Sequence, residues 1–285
     1  MNRRTFADVL KSVKINIDLE YAKLYNMYYG NNLDDKSSLR TLCGTNFTRY
    51  PFRGTLLSLD EFDAVTDYCL FFHKKSVDLT DFIRFCEYTI NLISPLSTDN
   101  LSHTDYFVPP HRRTEIELYI QNVYIIIEKI GYMKAFDEEF HVIIFVPKSP
   151  EAIAVAEIIE PTLSYKTIEY NHYSMKGNLN KKKEIILKYA DLLEARRQNL
   201  KSINSSLEQD VFSLLNNINI RHNNIDPKSS SYHKYIADMS NDELEKWYDE
   251  TYQVCLLCFL ELDNIERKKK IKELNENIKN ANKQN

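Results

Sequence analysis

Apolar residues recur at helical spacing over most of the chain, and polar residues fill the gaps between them. Leu10, Val13, Ile17, Leu24 and Met27 predict a helix within residues 1–30. Residues 30–57 contain Gly30, Gly44, Pro51 and Gly54 and read as irregular. Ser58 with Glu61 is a capping-box pattern, so a helix is expected from there to about His73. Thr80 is the expected cap of the next helix, which runs through Ile93 and stops at Ser94-Pro95. Residues 95–113 read as an exposed loop ending in Pro109-Pro110-His111-Arg112-Arg113, followed by a helix from Thr114 to Ile130. Phe140 to Val146 is short, rich in β-branched residues and bounded by Pro147, which makes it the best strand candidate. A short helix is expected at Pro150, with Pro161 ending it and residues 162–177 irregular.

The pattern is clearer towards the C-terminus. Ile185, Tyr189, Leu192, Leu193, Arg196 and Leu200 follow a helical period, as do Ile203, Leu207, Val211, Leu214, Leu215 and Ile218. Ser205 with Glu208 suggests a new helix start within this stretch, giving either two helices or one bent one. Ser240 with Glu243 opens a further helix with Leu244, Trp247, Thr251, Cys255, Cys258, Leu262 and Ile265 on one stripe. The last residues are polar and rich in Asn and Lys, and are expected to fray. The fold class is therefore mostly α, in two domains. Residues 1–165 are an N-terminal helical domain with a short strand element, and residues 166–285 a helical bundle.

Composition narrows the chemistry mainly by exclusion. Five glycines are too few and too scattered for a phosphate-cradling loop, and neither G-x-G-x-x-G nor G-x-x-x-x-G-K-[ST] occurs. No run of about 18 apolar residues is present, so no membrane span is expected. The N-terminus has two arginines without an apolar stretch after them, unlike a secretory signal. An odd, scattered set of five cysteines fits a reducing compartment, and a cytoplasmic location is expected. The net charge of −4 is uneven: residues 1–165 carry 17 basic against 23 acidic residues, and residues 166–285 carry 20 against 18. An acidic ligand is repelled less by the second part.

One constellation stands out. Extending the apolar stripe of residues 211, 214, 215 and 218 lands on Arg221 and His222, and a cation on a core-facing side is costly unless paired or facing a cleft. His222-Asn223-Asn224-Ile225-Asp226-Pro227 then leads out of the helix towards the last long one. This layout resembles the HEPN superfamily, small helical bundles found in many toxins and antiphage systems. That family carries Arg, then a polar residue, and a His a few residues later, at the junction between its last two long helices. Arg221 matches the arginine and His222 the polar position, while Asp226 stands where the family's histidine would fall. The resemblance covers residues 178–270. It implies metal-independent RNA cleavage, in which the arginine neutralises a phosphate and the histidine moves a proton, and a homodimer with the motifs facing a shared cleft. An imidazole suits proton transfer near neutrality, whereas an ordinary aspartate, with a pKa of about 3.9, does not. Either Asp226 has a raised pKa, or His222 or His233 substitutes for it, or the domain binds RNA or a partner without cutting.

Structure alone accounts for the same residues in another way. A cation near a helix C-terminus is favoured by the helix dipole, and Asn-Asn-x-Asp-Pro is good turn chemistry. Arg221 would then hold the loop, or pair with an acid on the last helix such as Glu250 or Glu261. Cys255-x-x-Cys258 lacks a second ligand pair and lies on an apolar stripe, so it reads as core and no metal is expected. Lys181-Lys182-Lys183, Arg196-Arg197 and Arg267 to Lys270 read as solvated faces, with phosphate contact as the alternative. His103 and His111, the latter beside Arg112 and Arg113, read as a solvated loop rather than a phosphate patch. Tyr170 and Tyr173 around His172 read as core or interface packing, and Asp60, Glu61, Asp63 and Asp67 as a helix start rather than a metal site. The leading expectation is a HEPN-like protein that binds or cleaves RNA, of the toxin or antiphage-defence type and without a cofactor. Its candidate catalytic residues are Arg221, His222 and Asp226, and its candidate RNA contacts are Asn223, Asn224, Arg196 and Arg197. The alternative is a non-enzymatic helical sensor or scaffold that binds a protein.

Overall fold

Helical apolar stripes close into two separate cores. The computed structural model describes residues 14–30, 37–68, 74–97 and 106–283, and the chain divides into units 1–147 and 148–285. It is mostly α, with a single two-stranded sheet among the described residues.

In the first unit, α1 (Ile17–Tyr29), α2 (Leu39–Asn46), α3 (Leu59–Val65) and α5 (Arg113–Lys129) accompany a central helix, α4 (Leu79–Ile93). The central place of α4 shows in its burial: it has a strong apolar face, and ten of its fifteen residues are buried, Glu87 and Thr89 among them. Phe85 and Tyr88 of α4 pack edge-on against Tyr28 of α1. Two polar residues of α4, Glu87 and Asn91, are one turn apart and meet the hairpin β1 (Tyr132–Asp137) and β2 (Val142–Pro147). The strands are antiparallel, with Tyr132 opposite Pro147 and Asp137 opposite Val142. On the other side of β2, Asn91 Oδ1 accepts from the Ile143 amide at 2.7 Å and its Nδ2 donates to the Ile143 carbonyl at 2.8 Å. Glu87 Oε1 accepts from the Phe145 amide at 2.6 Å. Helix side chains thus supply the partners that a third strand would have supplied.

The second unit comprises α6 (Pro150–Ala156), α7 (Pro161–Glu169), α8 (Leu179–Ala195), α9 (Arg197–Ile203), α10 (Ser205–Asn217), α11 (Lys234–Ala237) and α12 (Asn241–Lys283). Its core joins Ile186 and Tyr189 of α8, Val211 and Leu215 of α10, and Tyr252 and Cys255 of α12. Tyr170 and Tyr252 stack face to face at 3.9 Å, and the Tyr189 and Tyr252 hydroxyls meet at Thr167. The capping box at Ser240 forms in both directions, at 3.0 and 3.3 Å. From there α12 runs for 43 residues, about 64 Å at 1.5 Å per residue. Its last buried residue is Leu262, and residues 266–280 are all exposed. Among the described residues, no helix is long and apolar enough to cross a membrane.

Several sequence expectations are corrected. The boundary lies at 147/148, after the hairpin, whereas the expected boundary at residue 165 falls inside α7. Pro161 starts a helix instead of ending one, because proline at the first helical position loses no intrahelical bond. Residues 30–57 include α2, capped by the Ser38 side chain on the Thr41 amide. Asp78 rather than Thr80 caps α4, and Asn204 rather than Ser205 caps α10. The helix after Ser58 ends at Val65, and Asp67 follows with a positive φ of 59°. The strand begins at Val142, because the Asp137 side chain accepts from the Glu139 and Phe140 amides and makes the turn. The polar C-terminal segment, expected to fray, is helical through Lys283. Leu10, Val13, Cys69 and His103 lie outside the described residues.

Candidate functional site

Helix α10 stops at Asn217, four residues short of Arg221, so the arginine sits on the following loop rather than on the helix stripe. Asn219 reverses the chain with a φ of 62°, a left-handed conformation that asparagine tolerates better than most residues. The Arg221 amide then donates back to the Leu215 carbonyl at 2.9 Å and satisfies one of the helix-end acceptors.

Asn224 holds this loop shut. It is fully buried, its Oδ1 accepts from the Asn219 amide at 2.7 Å, and its Nδ2 donates to the Ser231 carbonyl at 2.7 Å. Its own carbonyl accepts from the His233 amide at 2.9 Å. Asp226 makes a tight turn, with Oδ1 accepting from the Lys228 amide at 2.9 Å, and Asn223 Oδ1 accepts from the Asp226 amide at 3.3 Å. His222 and Asn223 are exposed. The Asn224 side chain is thus a clamp within the loop and not an RNA contact, and the Asp226 carboxylate is engaged by its own turn.

The Arg221 side chain points to α8. Its Nη1 donates to Glu194 Oε2 at 2.7 Å, so the partner lies neither at Glu250 nor at Glu261 on α12. The other Glu194 oxygen lies 3.5 Å from Arg197 Nη1. Arg197 Nε in turn donates to the buried Glu208 at 2.6 Å, and its guanidinium lies 4.1 Å over the Phe212 ring. Two arginines from different elements therefore converge on one exposed carboxylate. The hydrogen bond from Arg221, with the nearby charges of Arg221 and Arg197, pulls the Glu194 carboxyl below its usual value. Arg196 is exposed at the junction of α8 and α9. The structure brings Arg197 and Arg221 together and leaves His222, next to Arg221 in sequence, on the exposed surface.

Clefts lie elsewhere among the described residues, and two of them, one in each unit, are lined by none of Arg221, His222 and Asp226. One, of about 650 Å³, is in the second unit, lined by residues that include Tyr170, His172, Lys182, Glu245 and Asp249. Lys182, expected on a solvated face, is buried; its ammonium bonds Glu245 at 2.7 Å and Asp249 at 2.6 Å and lies 5.4 Å over the Tyr170 ring. Burial would raise the Glu245 carboxyl, but Lys182 and the Gly177 amide outweigh it and hold it below its usual value. The other cleft, of about 470 Å³ in the first unit, is lined by aromatic residues together with Glu87 and Asn91. Arg112, expected in an exposed loop, is fully buried and bonds Glu115 and Ser37.

Cys255 and Cys258 are buried, and burial raises both thiols, Cys258 to about 12. Among the described residues no group of three or more His, Cys, Asp or Glu could hold a metal. No protein-family model matches the chain, and neither does any curated protein or solved structure.

Proposed function

We propose that the second unit binds RNA through the Arg221 loop, as the HEPN resemblance implies, and that Glu194 occupies the phosphate position when RNA is absent. One observation supports this: Arg221 and Arg197 hold the two oxygens of a single exposed carboxylate. A phosphate offers guanidinium groups the same forked acceptor and can exchange with a carboxylate that is already accessible to water. The place of Arg221 on the loop after α10 and ahead of the long last helix also supports this reading.

Binding is better supported than cleavage. Cleavage needs a group that moves a proton at the phosphoester. Asp226 is tied to the Lys228 amide, which leaves the exposed His222 as the imidazole nearest Arg221 in sequence.

The test is titration of the full chain with a single-stranded RNA at several salt concentrations. Arg221→Ala weakens binding by about tenfold and lowers the salt slope by about one phosphate contact. Glu194→Gln, which releases both arginines from their counter-ion, strengthens binding instead. Opposite signs from the two substitutions support the proposal. Loss of thermal stability in both, with RNA affinity unchanged or undetectable in all three proteins, overturns it and favours the non-enzymatic protein-binding reading. RNA shortened by the wild type but not by His222→Ala would establish cleavage.

A further inference from the structure

The distal part of α12 carries a surface that its own unit does not cover. Ile271, Leu274 and Ile278 are 56%, 58% and 50% exposed on an ordered helix. Their spacing of three and then four residues is that of the a and d positions of a heptad, and it differs from the scattered single exposures of an ordinary surface. Continued towards the N-terminus, the same seam has Asn264 at a and Arg267 at d, and reaches the exposed Leu257 at the preceding a. From Asn264 onward it lies opposite the side of α12 that carries Cys255, Cys258 and Leu262 into the bundle core, whereas Leu260, at the d position between Leu257 and Asn264, packs against that core, so the open seam begins at Asn264.

We propose that this segment pairs with the same segment of a second copy of the chain, as a parallel two-stranded coiled coil. The residue types select the occupant. Isoleucine at a with leucine at d favours two parallel strands, and a lone asparagine at an a position fixes register by pairing with its counterpart. One flanking pair is complementary: in a parallel pair Asp263 at g lies beside Lys268 at e of the other copy, while Lys270 at the next g faces the neutral Asn275 at e. The basic residues Lys269 and Lys272 fall at f and b, outside the seam. Arg267 weakens the pairing, because a cation at d meets its own copy, and Asp263 draws its guanidinium aside at 2.6 Å. The folded bundle holds the start of α12 helical, so the short seam does not have to nucleate its own helix.

The test is sedimentation equilibrium of the RNA-free full chain over a wide concentration range. The wild type is expected to be a monomer–dimer mixture, and the exposed double substitution Ile271→Glu with Ile278→Glu a monomer with unchanged thermal unfolding. Arg267→Leu completes the d position and moves dimerisation to about tenfold lower concentration, the equivalent of about 1.4 kcal/mol. Under oxidant, Ile278→Cys gives a disulfide-linked dimer, as a parallel in-register a position requires. A wild type that stays monomeric throughout, or a dimer indifferent to the double substitution, overturns the proposal. So does a double substitution that lowers thermal stability without changing mass, which would mean that the seam packs on its own chain. A monomer whose binding to anionic vesicles is lost in the double substitution would assign the face to a membrane surface instead.

Discussion

Asn224 shows how much of the Arg221 loop depends on one amide group. Its side chain meets two backbone groups, the buried Asn219 amide and the half-buried Ser231 carbonyl. Asn224→Ala is expected to cost about 2 kcal/mol, since each abandoned group carries a desolvation penalty of about 1–3 kcal/mol and water recovers part of it. Amide exchange at Asn219 and His233 should accelerate well beyond that of the α12 core; protection as strong as in the wild type would show that the loop closes without the clamp. The sequence singled out Arg221 as a cation on the extension of an apolar stripe, but the helix stops at Asn217 and the arginine is carried by the loop after it. Its partner was not legible, because Glu194 is 27 positions earlier and periodicity does not say which helices become neighbours. Lys182 was legible in principle: it continues the buried row 186, 189, 190 and 193 one turn towards the helix start. It was hidden by its place in a run of three lysines, where charge suggested solvent. Its burial is offset by Glu245 and Asp249, with the Tyr170 ring beside them, partners that no local pattern reveals.

Helices and their types were readable, and their ends less so. The caps at Ser58, Ser149 and Ser240 follow from a hydroxyl set ahead of an apolar period. At α4 and α10 two side chains able to cap lay within two residues of each other, and the earlier one, Asp78 or Asn204, took the position. At α10 the distinction is measurable. Asn204→Ala removes the acceptor of the Leu207 amide, 3.1 Å away, and should cost about 1 kcal/mol in urea unfolding. Ser205→Ala should change stability by only a few tenths, since that residue is the first of the helix proper. Equal losses from the two would mean that Ser205 shares the cap. The strand pair was half legible. Val142 to Pro147 reads as a β-branched run, whereas its partner, YMKAFD, mixes Lys, Met and Ala and becomes a strand only through pairing.

For the whole molecule, the separate core of residues 148–285 leads to an expectation for the isolated fragment: cooperative unfolding without the first unit. A fragment that melts gradually would show that its core is incomplete. Its stability should also fall in acid. Glu194 and Glu245 have folded pKa values below the usual 4.5, so they bind protons more weakly folded than unfolded. Their contribution is fully present above pH 4.5 and is lost as the pH falls through the lower folded values. Water around Glu194 keeps its share small. Urea midpoints measured on either side of pH 4.5 should therefore converge in Glu245→Gln relative to the wild type. The two-stranded hairpin of the first unit has a consequence of its own when molecules crowd together. A fibril grows only if every added sheet offers both of its borders to the next. With the Ile143 and Phe145 border of β2 already occupied by Asn91 and Glu87, a natively folded copy joining through the hairpin has no second border to offer, and growth by that route terminates.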